Sequence, residues 1–319
     1  MLAGGAAAFL LVYAILEGSG LFRVTPAGVR DIAISLPFLL GSLVLLAALL
    51  VNGWQRRRVG LSPGWFSIFA GALIVAGLWT SHLTRFSAEI PLSEGQKFSS
   101  LGQVYPAESL LVGPLTRQPQ IVVALKKLSP TFATDRQRLT SLQGEVSFAL
   151  AGGGPRRTVS VTDRFPTFIA GMRLQLRDFG YSPRYLLKDR SGRVLDSAWA
   201  ALRLFPPGSE DSFRLITPHT FSLRYSPAPD SAGGKPFQLR IVRGKDLLFT
   251  GSVGLGEEVP FDNGFLAIAE VRNWTRLVVV RDWGEPLTWG GILLLAVSGA
   301  TRWWLARKSA SGKGSTKAS

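Results

Sequence analysis

The sequence contains no cysteine. This excludes disulfides, thiolate metal sites, thiol redox chemistry and covalent haem attachment through a CxxCH motif in this chain. Histidine is almost as scarce: only His82 and His219 occur among 319 residues, so the chain is a poor candidate for a self-contained metal enzyme. P-loop, GxGxxG, HExxH, GxSxG and EF-hand patterns are also missing. The sequence therefore contains no motif of a hydrolase or a dehydrogenase.

Acidic residues are few relative to basic ones, with 21 Asp and Glu against 36 Lys and Arg and a formal net charge of +15. This balance suits either a nucleic-acid-binding protein or a membrane protein with basic cytoplasmic ends. Residues 85–283 contain 26 basic and 18 acidic residues, a net charge of +8 that is spread along the segment. The spread favours a solvated domain that contacts anionic lipid or an acidic partner, and no nucleic-acid role is expected.

Apolar runs long enough to approach a bilayer crossing occur at both ends of the chain, and tryptophans flank the last of them. The N-terminal run is interpreted as a span and not as a signal peptide, because it has neither a basic start nor a small-residue cleavage site. The sequence thus predicts a membrane protein with four transmembrane α-helices. The predicted spans are 1–16, 33–52, 64–83 and a fourth within 284–305, centred on the apolar run 286–301.

The basic residues predict which side of the membrane each segment occupies. The 53–63 loop and the 302–319 tail carry basic residues and no acids, which is typical of cytoplasmic segments. Both termini are therefore predicted to be cytoplasmic, in the inner membrane of a bacterium. The predicted organisation has three helices in 1–84, an extracytoplasmic domain at 85–283, a fourth helix at 284–305 and a basic disordered tail at 306–319.

The 85–283 segment shows the alternation and the turn spacing of short β-strands. We predict an antiparallel sandwich or an open barrel, with one short helix at 108–115. The predicted strands are 120–128, 144–150, 157–162, 172–179, 183–189, 221–226, 236–243, 246–253 and 276–281. The acidic stretch 254–264, GLGEEVPFDNG, is interpreted as a hairpin with turns in preference to a cation site.

Three stretches of the chain resemble the ResB family, also called CcsB, of the System II cytochrome c maturation machinery. IPLSEGQKF at 90–98 resembles the family's stretch that opens the outer domain. Residues 165–195 resemble its stretch in which two glycines, here Gly171 and Gly180, bracket a strand before a second strand and a D-x-x-G turn. Residues 276–299 resemble its exit into the last helix.

The resemblance implies a subunit that handles haem at the outer membrane face with a ResC/CcsA-type partner, which together attach haem to apocytochrome c. Haem b is a candidate cofactor, with His82, Arg85 and His219 as candidate contacts and no catalytic residue. For His82, an interfacial histidine without a haem role is the preferred interpretation, and for Arg85 a lipid phosphate is an equal alternative to a haem propionate. For His219, an exposed loop histidine without a haem role is the preferred interpretation. The start of the third span, LSPGWFSIF at 61–69, lacks the histidine that family members commonly carry there. The alternative is a non-catalytic structural subunit that braces a membrane redox or cytochrome complex; in neither case is the chain alone expected to be an enzyme.

Overall fold

The computed structural model describes residues 47, 51, 63–134, 138–153, 155–215, 217–226, 235–262 and 264–312. These residues divide into two compact units. The helical unit comprises the described residues up to Phe86, together with 111–117 and 281–312. The β unit comprises the described residues of 87–110 and 118–280.

The helical unit contains helix α1 (Pro63–Thr84), the short strand β3 (Leu111–Val112) and helix α2 (Glu285–Gly312). Pro63 occupies the start of α1, where its missing N–H costs nothing. The carboxylate of Asp282 caps the start of α2, because its Oδ1 accepts the N–H groups of Gly284 at 3.0 Å and Glu285 at 3.2 Å. Helix α2 continues to Gly312, into the segment predicted as a disordered tail.

Helices α1 and α2 run antiparallel and approach each other closely at glycines. The Ser67 and Ser298 hydroxyls lie 2.8 Å apart at one end, and the Ser81 hydroxyl donates to Asp282 Oδ1 at 2.7 Å at the other. A Cβ atom at Gly291 would lie 2.6 Å from Ile74 Cγ1 and 2.8 Å from the Ala70 carbonyl oxygen. The glycine is therefore required for the helix backbones to come this close, a device common in membrane helix pairs.

The predicted fold of four transmembrane helices plus a β domain is wrong as stated. The described part of the chain has two long helices, and by length and composition only Phe66–Thr84 could cross a membrane; the remainder is mostly antiparallel sheet. The predicted spans 1–16 and 33–52 lie outside the described residues, apart from Ala47 and Val51. The run 286–301 falls short because 16 residues rise only about 24 Å, less than the roughly 30 Å of a bilayer core, and charged residues follow it.

Fourteen of the strands that the structure describes belong to the β unit, and β1 begins at Phe86 where the helical unit ends. In the first sheet β1 (Phe86–Ser93), β15 (Gly264–Arg281), β8 (Met172–Asp189) and β7 (Thr167–Ile169) are neighbours, while β14 (Glu258–Phe261) pairs with β15 and β9 (Val194–Trp199) with β8. The second sheet has the order β10 (Glu210–Arg214), β11 (His219–Tyr225), β12 (Phe237–Arg243) and β13 (Asp246–Val253). The third has the order β2 (Lys97–Ser99), β4 (Ile121–Phe132), β5 (Leu139–Leu150) and β6 (Arg157–Thr162).

Strands β8 and β15 form a long two-stranded ribbon on which the other two sheets pack. They pair antiparallel from Gly264 opposite Asp189 to Val280 opposite Arg173. The second sheet packs on one part of this ribbon through a core that includes Tyr185, Phe221 and Ile268. The third sheet packs on another part, where Leu176 of β8 meets Gly144 of β5. Alternating burial along β11 and β12 shows the period of two that predicted these strands.

The strand boundaries differ from the prediction where a strand pairs with another strand that is far away in the sequence. The predicted strands 172–179 and 183–189 are one continuous strand, β8, which passes through Gly180. Strand β15 begins at Gly264, well before the predicted start at 276. The helix predicted at 108–115 is wrong: a single 3₁₀ turn at Ala107–Ser109 is followed by β3.

Candidate functional site

His82 lies in the last turn of α1, and its side chain is half-buried. The ring meets Trp79 edge to face, with the ring centroids 6.4 Å apart. The indole Nε1 of Trp79 is buried and has no hydrogen-bond partner among the described residues. An imidazole is a standard haem ligand, whereas the indole N–H beside it is only a hydrogen-bond donor.

Arg85 follows α1 directly and is only 5% exposed. Its backbone N–H donates to the Ser81 carbonyl at 2.9 Å, and its own carbonyl accepts the N–H of Gly113 at 2.7 Å. Arginine can bind a carboxylate in a bidentate manner, but the Arg85 side chain is almost fully buried at the end of α1. The structure thus places two of the three predicted contacts, His82 and Arg85, at the same end of α1.

His219 lies in the other unit and belongs to a different cluster. It is the first residue of β11 and is 5% exposed, so its preferred interpretation as an exposed loop histidine is wrong. The ring packs edge to face against Phe261, with centroids 5.0 Å apart. His219 Nε2 lies 2.9 Å from Asp262 Oδ2, and because a carboxylate only accepts, Nε2 carries the proton.

The engagement of His219 with Asp262 leaves no ring nitrogen that fits a haem iron. Nε2 is occupied by the carboxylate, and Nδ1 is buried without a partner among the described residues. Sequence analysis found no signal for this burial, because the TPHTF stretch gives no indication of what covers it.

Asp262 contacts groups from three separate turns or strand ends. It stands between β14 and β15 with a positive φ of 24°. Besides His219, its Oδ2 accepts Arg243 Nη1 at 2.6 Å, and its backbone carbonyl accepts Arg190 Nη2 at 2.8 Å. The hydrogen bond from His219 holds the pKa of Asp262 below its usual value, and Arg243 and Arg190 act in the same direction.

The arrangement around Asp262 is a clamp between strand ends. Arg243 ends β12, His219 begins β11 and Arg190 lies in the turn after β8, so one carboxylate fastens the second sheet to the first. A cavity of about 520 Å³ adjoins it. The cavity is lined by Arg190, Leu248, Pro260, Phe261, Asp262, Gly264 and Phe265. The sequence predicted strands ending at 189 and 243 but gave no indication that these ends meet at Asp262.

A second ionic cluster lies across strands β1, β15 and β8. Glu89 receives Arg177 Nη1 at 2.7 Å on one carboxylate oxygen and Arg276 Nη1 at 3.1 Å on the other. Arg276 Nε also lies 3.3 Å from Asp178 Oδ2. Asp178 has a positive φ of 57° and is the extra residue of a β-bulge, because Thr275 pairs with Phe179 and Arg276 with Arg177. Bulges redirect side chains, and beside this bulge both arginines reach Glu89.

The stretches that resemble the ResB family have structural functions in the β unit. Glu94, in the turn after β1, accepts the Leu128 N–H at 2.7 Å and the Asn273 side-chain amide at 3.2 Å on its two oxygens. A Cβ atom at Gly180 would overlap the Leu202 carbonyl and the Trp274 indole, which are themselves joined by a 2.7 Å hydrogen bond. Both positions therefore hold strands together and do not line an open site.

Among the described residues, no group of three or more His, Asp or Glu side chains could hold a metal ion. No protein-family model and no curated protein matches the chain.

Proposed function

We propose that the chain is a membrane-anchored subunit of the System II cytochrome c maturation machinery, of the ResB-like kind. The observation that supports anchoring best is the α1–α2 pair. Its helices are joined through glycines, while large apolar side chains of α2 point outward, with Trp289 63% and Leu293 67% exposed. A soluble protein would bury such a surface, whereas lipid accepts it.

The charges at the helix ends support an extracytoplasmic β unit. Three arginines, Arg56 to Arg58, precede α1, and Arg302 and Arg307 follow the apolar part of α2. Positive residues remain on the cytoplasmic side, so the start of α1 is proposed to be cytoplasmic. The antiparallel packing places the end of α2 beside it. The opposite ends of α1 and α2 carry His82, Arg85 and Asp282, and they lead into β1 and out of β15.

Haem b is the proposed cofactor at the outer end of α1. His82 would bind the iron, and Arg85 would bind a propionate, as their chemistry allows. When bound, haem supplies the vinyl groups that a maturation complex joins to cysteines of apocytochrome c. This chain would hold and orient the haem, and a ResC/CcsA-type partner would complete the complex; the chain alone is not proposed to be an enzyme.

The test is an absorption spectrum of the full chain, purified with and without a co-expressed ResC/CcsA-type partner. His82→Ala is compared with His219→Gln, because the second histidine is engaged by Asp262. Loss of a Soret band with His82→Ala, and its retention with His219→Gln, is expected. A band that survives both substitutions would assign the haem to the partner. If no preparation shows a band, the haem-handling proposal is wrong.

The second candidate function is a structural subunit that braces a membrane redox or cytochrome complex without binding haem. The engagement of His219 by Asp262 favours it, because that histidine serves strand packing. Copurification of the chain with a cytochrome-containing complex, with no haem on this chain, is the expected result for this function.

A further inference from the structure

The segment 111–117 covers the end of α1 with its own backbone. The Gly113 N–H donates to the Arg85 carbonyl at 2.7 Å, and the Leu115 N–H donates to the Leu83 carbonyl at 2.9 Å. The last carbonyls of a helix lack partners within the helix, so these bonds satisfy groups that would otherwise require water. A Cβ atom at Gly113 would lie 2.6 Å from the Leu83 carbonyl oxygen, which explains why glycine allows this approach.

The same segment is tied to the start of α2. Arg281 Nη2 donates to the Arg117 carbonyl at 3.0 Å. Asp282, the next residue, accepts the hydroxyl of Ser81 and caps α2. Residues 111–117 and Trp283 therefore lie around the same end of the helix pair, and we name them together the collar.

The collar exposes apolar side chains in a segment whose backbone groups are already hydrogen-bonded. Leu115 is 72% exposed, Trp283 63% and Val112 37%. Single exposed apolar residues are ordinary, but three at one end of an apolar helix pair form a continuation of its outward surface.

Basic groups accompany these apolar side chains. Arg117 is exposed, and Arg281 carries a buried Nε that has no partner among the described residues. This combination of tryptophan, aliphatic side chains and arginine is typical of the membrane–water interface. There, guanidinium groups contact lipid phosphates.

We propose that the collar is a lipid-contacting surface that sets the depth of the helix pair. Leu115, Val112 and Trp283 enter the boundary between headgroups and acyl chains, and the exposed Arg117 faces the phosphates. The inference rests on the proposed membrane anchoring. The collar also satisfies the carbonyl groups at the end of α1. This matters near lipid, because a backbone carbonyl without a hydrogen bond is costly there.

The absence of cysteine allows a direct test with single-cysteine variants of the full chain. Leu115→Cys, Leu293→Cys in the middle of α2 and Val104→Cys in the β unit are each labelled with an environment-sensitive fluorophore. Val104 is the matched exposed control at 89% exposure. The labelled proteins are reconstituted in phosphatidylethanolamine–phosphatidylglycerol vesicles and quenched either by doxyl-labelled lipid or by aqueous iodide.

We expect the Leu115 probe to be quenched by doxyl lipid, with iodide quenching about threefold weaker than at Val104, because interfacial residues exclude bulk water. Iodide quenching equal to that at Val104, with the Leu293 probe in lipid, would overturn the collar proposal and leave the anchoring intact. Iodide access at Leu293 as well would overturn the anchoring. Protection of Leu115 from both quenchers would show contact with protein and would also overturn the lipid assignment.

Discussion

The two units of this protein bury their apolar side chains in opposite ways. In the helical unit, glycine and serine lie between the helices while Trp289, Leu293 and other large side chains point outward. In the β unit, large residues such as Phe148 and Phe221 are fully buried, and charged residues occupy the outer faces. The difference shows that the two units place their large apolar side chains differently: the helical unit leaves them outside the helix pair, and the β unit encloses them in its core.

The largest expected effect concerns the close contact of the helices. In a Ser67→Cys/Ser298→Cys background, Gly291→Ala places a methyl group against Ile74 and the Ala70 backbone and should abolish most disulfide crosslinking between α1 and α2. Overpacking of this kind costs about 1–3 kcal/mol. Crosslink yield on a gel is the measurement. Gly290→Ala is the matched control, because no atom lies within 4 Å of its added Cβ; equal yields for the two variants would contradict glycine-dependent packing.

The corresponding substitution in the β unit is Gly180→Ala. Its methyl group would meet the Leu202 carbonyl and the Trp274 indole, so we expect a loss of about 2 kcal/mol in the free energy of unfolding. Urea unfolding followed by near-ultraviolet circular dichroism measures it. Gly102→Ala, with nothing within 4 Å, should leave the midpoint unchanged. A loss for Gly102→Ala as large as that for Gly180→Ala would contradict this explanation.

A smaller, pH-dependent effect is expected at Asp262. Its pKa in the folded protein is lowered from 3.8, chiefly by the hydrogen bond from His219. The carboxylate therefore contributes stability above its unfolded pKa, and this contribution disappears as the pH falls through the folded pKa. Urea midpoints between pH 7 and acid pH should fall less steeply in Asp262→Asn than in the parent. Asp246→Asn, at the exposed β12–β13 turn, serves as control; parallel profiles for all three proteins would exclude the clamp.

The smallest effect is expected for the Lys126–Glu145 pair on the outer face of β4 and β5. Both side chains are about half exposed and their charged atoms lie 3.4 Å apart. Exposed pairs contribute roughly 0–1 kcal/mol, so Glu145→Gln should move the urea midpoint slightly or not at all. A loss as large as that of Gly180→Ala would show that surface charge, and not the core, stabilises the β unit.

Local sequence patterns predicted individual strands well and the connections between them poorly. Strands β6 and β13 match the predictions 157–162 and 246–253, since alternation and turn residues are local signals. Strand β1 was missed because its partner β15 is far away in the chain. Of the candidate site, His82 and Arg85 were proposed from their position at the end of an apolar run, and both lie at the end of α1. Asp262 and Arg243 were not, because neither belongs to a recognisable motif.

The sequence by itself determined the alternating strands, the turns, the uncharged body of α1 and the absence of thiol chemistry. These follow from residue type and spacing within a few positions of each other. Only the tertiary structure decided that His219 is buried, that Asp262 contacts groups from three other strand ends and that residues 111–117 cover the end of α1. Each of these depends on which distant segments pack together, and packing is set by the complementarity of whole surfaces that no local pattern encodes.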